Sequence, residues 1–332
     1  MSAKAELHAL IDRFAEGSVL VVGDLALDEF LTGVTERISR EGPVLILRHE
    51  HTRQVPGGAA NAAYNFAKLG AKVTMVGVVG EDLQAQALRN ILAEAGIDVS
   101  GLVVDPTRPT ITKTRIAAHS RQSVTQQVVR IDRKSDEPLS LDLQAQLSEQ
   151  IATYAAANAA LVCSDYLEGT FTDKTIAATL NHSRTIVDTH AGLERYQGAY
   201  LFTPNLPEAE LAAGFAIRSD DDLNRAGAEL LHRTGAKYIL ITRGEEGMSL
   251  FGVDGTRRDI PAFNRTQVFD VTGAGDTVVA ALTLALIAGG DAYQAAILGN
   301  LAASIVVRQF GTATTDVATL HSHLEELEWT FL

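Results

Sequence analysis

Two periodicities divide the chain. From residue 141 onward, short apolar runs alternate with longer segments of helical period, whereas parts of 30–55 and 108–131 carry apolar residues at every second place. Ser18–Val22, Lys72–Val79, Ala160–Cys163, Arg184–Asp188, Tyr200–Phe202, Tyr238–Ile241 and Met248–Phe251 read as buried strands. Helices are expected over 4–16, from the Pro56-Gly57-Gly58-Ala-Ala-Asn61 opening to Leu69, and over 83–96, 141–157, 172–182 and 220–234. Strands alternating with helices imply a mostly parallel sheet with right-handed crossovers. The alternating stretches around Val44–His49, Thr110–Ala118 and Gln126–Ile131 break that rhythm and predict a small, half-exposed β-sheet, a lid inserted in one α/β domain spanning 1–332.

The longest apolar run, Val278–Ala288, stops at Gly289-Gly290 and follows Asp270-Val-Thr-Gly-Ala-Gly-Asp-Thr277. That order predicts a buried helix whose amino end lies at Gly273–Asp276. First-turn amides and the positive end of the helix dipole favour a phosphate or developing oxyanion there, and glycine at 273 and 275 lets the backbone approach closely. A carboxylate beside a phosphate site repels the ligand unless it faces the attacking group, so Asp276 reads as a general base for a substrate hydroxyl. Helix capping is the other reading of the same residue.

Polar residues also gather where strands end: Asp24 with Asp28 four residues on, Asp165, Asp188, Asn205 with Glu208, and Thr242 with Gly244. Ligands bind beyond the carboxyl ends of strands in open α/β sheets, so several such residues in register describe one crevice. Gly57 and Gly58 allow close approach before a helix, and the Asn61 amide both donates and accepts. Lys113, Arg115 and Arg130 on the lid strands are anion contacts or the solvated face of a sheet.

Composition narrows the classes. With 332 residues, 46% hydrophobic and 21% charged, the chain is long enough for a large core. A formal charge of −13 argues against nucleic acid or an anionic membrane as partner. Cys163 is the sole cysteine and no apolar leader is present, so a cytoplasmic protein is expected. There is no Gly-x-x-x-x-Gly-Lys-Ser/Thr loop, no early Gly-x-Gly-x-x-Gly, no protein-kinase catalytic loop and no Cys/His cluster of zinc spacing.

Gly57-Gly-Ala-Ala-Asn61 with Gly77-Val-Val-Gly-Glu-Asp82, then Asn205-x-x-Glu208, Thr242-x-Gly244-x-x-Gly247 and Asp270-Val-Thr-Gly-Ala-Gly-Asp276, resemble in order the signatures of the ribokinase-like (PfkB) carbohydrate kinases. The resemblance implies a ribokinase-like three-layer α/β/α fold with a β-sheet lid and ATP-dependent phosphorylation of a sugar hydroxyl. By it, Asp276 is the base, while Gly273, Ala274 and Gly275 hold the transferred group. Asp24, Asp28, Gly57, Gly58, Asn61, Lys113, Arg115, Arg130 and Asp165 fall to the sugar or sugar phosphate. Asp188, Asn205, Thr242, Gly244, Gly247, Thr272 and Asn300 fall to the nucleotide, and Asn205 with Glu208 to magnesium. Participation of a monovalent cation stays open. Unpaired lid edges lead us to expect a homodimer through the lid.

Within the family, Gly33-x-Thr35-x-Arg37-Ile-Ser39, Pro43-Val44, Pro109-Thr-Ile-Thr-Lys113, Ser164-Asp-Tyr166 and Glu194-Arg-Tyr196-x-Gly198 are similar to motifs of the kinases that act on the anomeric hydroxyl of D-glycero-D-manno-heptose 7-phosphate. Those kinases are often fused to a nucleotidyltransferase; with Leu332 as last residue, only the kinase activity is expected here. Another acceptor (a free sugar, a fructose phosphate or a nucleoside) and an idle sugar-binding protein on the same fold remain alternatives. Asp188-Thr-His190 departs from the Asp-Pro-Lys of that group, and Arg40-Glu-Gly42 from its Pro-Glu-Ala. A neutral histidine is a weaker phosphate partner than lysine, so His190 reads as a surface residue.

Overall fold

A computed structural model describes residues 2–120, 124–264, 268–309 and 311–327. Strand β1 (Ser18–Gly23) sits inside a sheet ordered β13-β12-β11-β10-β9-β8-β1-β4-β5. The other members are β4 (Lys72–Val79), β5 (Asp98–Val104), β8 (Ala160–Asp165), β9 (Thr185–Thr189), β10 (Leu201–Phe202), β11 (Tyr238–Thr242), β12 (Met248–Gly252) and β13 (Arg257–Ile260). Neighbours from β5 to β11 pair in parallel; β12 and β13 turn back antiparallel at one edge.

Successive residues of β1 enter opposite cores. Val19 and Val21 pack on the layer of α1 (Ala3–Asp12), α2 (Ala59–Lys68), α3 (Leu83–Glu94), α8 (Ala274–Ile287), α9 (Ala292–Val306) and α10 (Val317–Glu326). Leu20 and Val22 pack on that of α4 (Leu141–Ala155), α5 (Asp173–Leu180), α6 (Leu206–Ala213) and α7 (Asp220–Thr234). Both faces are covered, as the unbroken apolar strands require. The result is the expected three-layer, ribokinase-like α/β/α architecture. Helix α8 is apolar on every side and buried from Asp276 to Leu286, so its amino end is held rigidly at the sheet.

The second sheet, ordered β3-β2-β6-β7, comprises β2 (Leu25–Ile38), β3 (Leu45–Gly58), β6 (Thr112–His119) and β7 (Gln126–Arg133). Its strands reach further than the segments 30–55 and 108–131: β2 starts immediately after Asp24 and β3 runs through Gly58 to the start of α2. Asp28 and Gly57 therefore belong to this sheet, and residues 121–123 of the expected lid lie outside the described residues. Other departures are local. The 4–16 helix stops at Asp12 before a 3-10 turn at Phe14–Glu16, and β5, α6, β13 and α10 appear where no element was expected.

Candidate active site

Gly58 takes φ +55° at the end of β3, and a Cβ there would lie 2.4 Å from the Asp24 carbonyl oxygen. This close junction delivers α2, and Asn61 on its first turn, to the amino end of α8. Gly273, at φ +77°, caps α8 in the left-handed region, and its missing Cβ would meet Asn61 Nδ2 at 2.8 Å. The two glycines thus let Asn61 Nδ2 donate to Asp276 Oδ2 at 2.6 Å. Tyr166, the first residue after β8, points its hydroxyl to the same carboxylate, 3.3 Å from each oxygen.

These groups line a cavity of about 290 Å³ between the two sheets. Asp28, Gly57, Gly58, Asn61, Lys113 and Arg115 form the wall toward the small sheet; Asp188, His190, Thr203, Asn205, Glu208 and Thr242 form the opposite wall. Tyr166, Thr272, Gly273, Gly275, Asp276, Val278 and Thr312 lie between them. Asn205 Oδ1 accepts from the Glu208 amide and Glu208 Oε2 accepts from the Asn205 amide, a reciprocal cap opening α6.

Charge separates along the cavity. On the small-sheet side Arg115 pairs with Asp28 at 2.8 Å, and Lys113 Nζ stands 5.8 Å from the Tyr166 ring centroid. On the other side the carboxylates gather. Burial above all, with the nearby charge of Asp188, pushes the Asp276 carboxyl up to about 7 against the opposing Asn61 hydrogen bond. Burial and the charge of Glu208 push Asp188 up to about 6. His190 Nδ1 meets Glu208 Oε1 at 2.6 Å, and that hydrogen bond raises the imidazole above its ordinary value.

Several expected residues do not reach the cavity. Asp24 is buried behind it: Oδ2 accepts from the amides of Tyr166 and Glu168, and Oδ1 from that of Thr170. Asp165 is likewise buried, with Oδ2 accepting from Tyr196 and Thr189 and Oδ1 from the Leu167 amide. Both aspartates hold the 166–170 loop through its backbone amides. Arg130 lies on the exposed strand β7 and grips Asp132 through two 2.8 Å bonds. The Ala274 amide donates to the Val271 carbonyl, and Asn300 Nδ2 donates to Pro261 O. Gly244 and Gly247 shape the turn before β12, where a Cβ on Gly247 would sit 2.0 Å from Ile260 O.

Thr203, Thr312 and the role of Tyr166 were not anticipated from the sequence; His190 is exposed, as expected of a surface residue, and also lines the cavity. The signal was available for Tyr166 and His190, since each follows a buried strand at the same end of the sheet. Thr312 follows α9 in an irregular segment and carried none.

The fold and this site define a small-molecule kinase of the α/β class. The chain belongs to the pfkB family of carbohydrate kinases, whose family model matches residues 17–319, and is by class an ATP-dependent carbohydrate kinase. It is 40% identical over 324 residues to the bifunctional protein HldE of Pelobacter propionicus, covering 96% of this chain and 65% of that protein. To HldE of Geobacter metallireducens it is 43% identical over 321 residues, 95% of this chain and 64% of the relative. The chain thus spans just under two thirds of the length of these curated relatives. Among solved structures it resembles Escherichia coli phosphofructokinase-2 in complex with potassium (TM-score 0.74, 21% identity, 93% of this chain and 99% of that one). It also resembles Arabidopsis thaliana ribokinase complexed with ribose and ATP (TM-score 0.71, 19% identity, 93% and 99%). At these identities the likeness is one of fold. Among the described residues no helix is long and apolar enough to cross a membrane.

Proposed function

We propose that this chain transfers the γ-phosphoryl group of ATP to the anomeric hydroxyl of D-glycero-D-manno-heptose 7-phosphate. The observation that carries the chemistry is the buried Asp276 carboxylate at the amino end of α8, held by Asn61 and facing a cavity with cations on one side and acids on the other. The motifs shared with the heptose 7-phosphate kinases, and the HldE relatives at about 40% identity, favour this acceptor over others. Lys113 and Arg115 line the acceptor side, where a sugar phosphate needs them and a nucleoside does not.

In this reading Asp28, Gly57, Gly58 and Asn61 orient the sugar, and Asp276 takes the proton of the attacking hydroxyl. The cavity-lining backbone at Gly273 and Gly275 holds the phosphoryl group in flight. Asp188, Asn205, Thr242 and Thr272 face the donor. Magnesium suits the site: Asn205 and Glu208 carry hard oxygen donors beside a carboxylate, Asp188, whose pKa is raised by burial first and by the charge of Glu208 second. Bound there with the nucleotide, the ion would neutralise charge on the β- and γ-phosphates. The small sheet closes over the sugar as a lid and excludes water, suppressing ATP hydrolysis. Lid edges pair two copies into a homodimer, and the enzyme works in the cytoplasm.

A coupled ATP-consumption assay with magnesium tests this against heptose 7-phosphate, fructose phosphates, ribose, free hexoses and nucleosides. Turnover confined to the heptose phosphate is expected. Preference for another member would move the acceptor while keeping the chemistry, and silence across the panel would overturn the reading.

A further inference from the structure

Tyr166 opens a loop fixed from behind by the two buried aspartates. Asp24 collects three backbone amides of residues 166–170, and Asp165 collects that of Leu167, the one non-glycine residue with positive φ (+62°) among the described residues. This bracing aims the Tyr166 ring into the cavity. His190 meets that ring edge-on at 4.8 Å between centroids, and Lys113 Nζ stands near it at 5.8 Å. The hydroxyl reaches Asp276 between its oxygens, 3.3 Å from each, while Asn61 occupies Oδ2 at 2.6 Å.

We infer that Tyr166 is a positioning residue for phosphoryl transfer: its hydroxyl donates to Asp276, favours the carboxylate over the acid, and leaves Oδ1 as the oxygen that receives the substrate proton. This rests on Asp276 being the base. The geometry suits the task. A long, shared hydrogen bond yields one oxygen to an incoming hydroxyl more readily than a short one would, whereas the 2.6 Å bond from Asn61 holds the other. Burial, with the charge of Asp276, raises the phenol well above its ordinary range, so Tyr166 remains a donor at every working pH. A donor to an ionised carboxylate lowers its pKa and works against the burial that raises it. The other titratable and charged groups around the carboxylate are Asp188 in β9, His190 just after it, Glu208 on α6, and Asp28, Lys113 and Arg115 on the small sheet.

The test compares wild type, Tyr166→Phe and Tyr166→Leu in two readouts. One is the titration of the Asp276 carboxyl in the free protein, read by difference infrared spectroscopy against Asp276→Asn. The other is the pH profile of kcat/KM with whichever acceptor the wild type accepts. Loss of a hydrogen bond worth about 1 kcal/mol moves a carboxyl by roughly 0.7 pH unit. With Tyr166→Phe both the titration and the acid limb should move up by that amount. Activity should then fall about fivefold at pH 6 and return to within about twofold of wild type at pH 9. Tyr166→Leu, which also removes the ring, should show the same shift with a further loss independent of pH. An unmoved titration, or an equal loss at every pH, overturns the role given to Tyr166. A shifted titration with an unmoved acid limb instead overturns Asp276 as the base, and with it the catalytic part of the inference.

Discussion

At the scale of single residues, the site turns on a carboxylate that the fold makes basic. Its pKa of about 7 means that activity should rise with pH through about 7 as Asp276 ionises, a limb that steady-state kinetics from pH 5 to 9 would trace. Asp276→Asn should lose roughly 10²–10⁴-fold in kcat with little change in either KM. Stability runs the other way. Asp276 and Asp188 hold folded-state pKa values of about 7 and about 6, above the usual 3.9, so the folded state binds the extra protons. Their stabilising contribution is complete below about pH 4 and is lost as pH rises through about 6 and 7. Ligand-free protein should therefore melt lower at pH 8 than at pH 5, and Asp276→Asn should flatten that dependence by on the order of 3 kcal/mol, read by calorimetry at both pH values. For Lys113, removal to alanine should raise KM for a phosphorylated acceptor roughly tenfold and leave an unphosphorylated analogue nearly untouched. Which residues face the ligand was only partly legible in sequence. A carboxylate after a strand says where the residue sits but not who claims it first: Asp24 and Asp165 are taken by backbone amides and a tyrosine, Arg130 by Asp132.

Elements were easier to read than partners. Helix α8 declared itself through an unbroken apolar run closed by two glycines, and the parallel strands through their two-sided hydrophobicity. The lid's boundaries were less clear, because β2 and β3 begin or end inside apolar segments that the central sheet's rhythm also explains. At one such boundary, Gly58→Ala would force a Cβ to within 2.4 Å of the Asp24 carbonyl at a positive φ. It should lower Tm by several degrees and raise acceptor KM, since α2 and Asn61 move together. At the opposite wall, Asn205→Ala removes half of a reciprocal cap. A loss of about 1 kcal/mol in α6 should accompany a raised KM for MgATP, with acceptor KM little changed.

For the whole molecule, a net charge of −13 and a cavity with acids on one wall mean that its anionic ligands must be drawn in by a few local groups. The small sheet supplies two of them, Lys113 and Arg115, and it also carries the molecule's exposed apolar strand surface. Val128, Val129 and Ile131 on β7, with Leu45 on β3, stand between 45% and 51% exposed on the two edge strands. A second copy would cover those edges, so sedimentation velocity at micromolar concentration should show a dimer; a clean monomer would remove the proposed interface. Fold class and family were legible in the order of motifs along the chain, because each motif reports a backbone requirement at one end of one sheet. The acceptor is not written in this way, since it depends on how lid side chains pair with each other. The proposed function rests on phosphoryl transfer to the anomeric oxygen. Phosphorus NMR of the product from ATP and D-glycero-D-manno-heptose 7-phosphate tests it most directly. Transfer to the anomeric oxygen gives a new phosphate signal coupled to the anomeric proton, with the 7-phosphate signal retained. Inorganic phosphate alone, or a new ester on any other carbon, would contradict it.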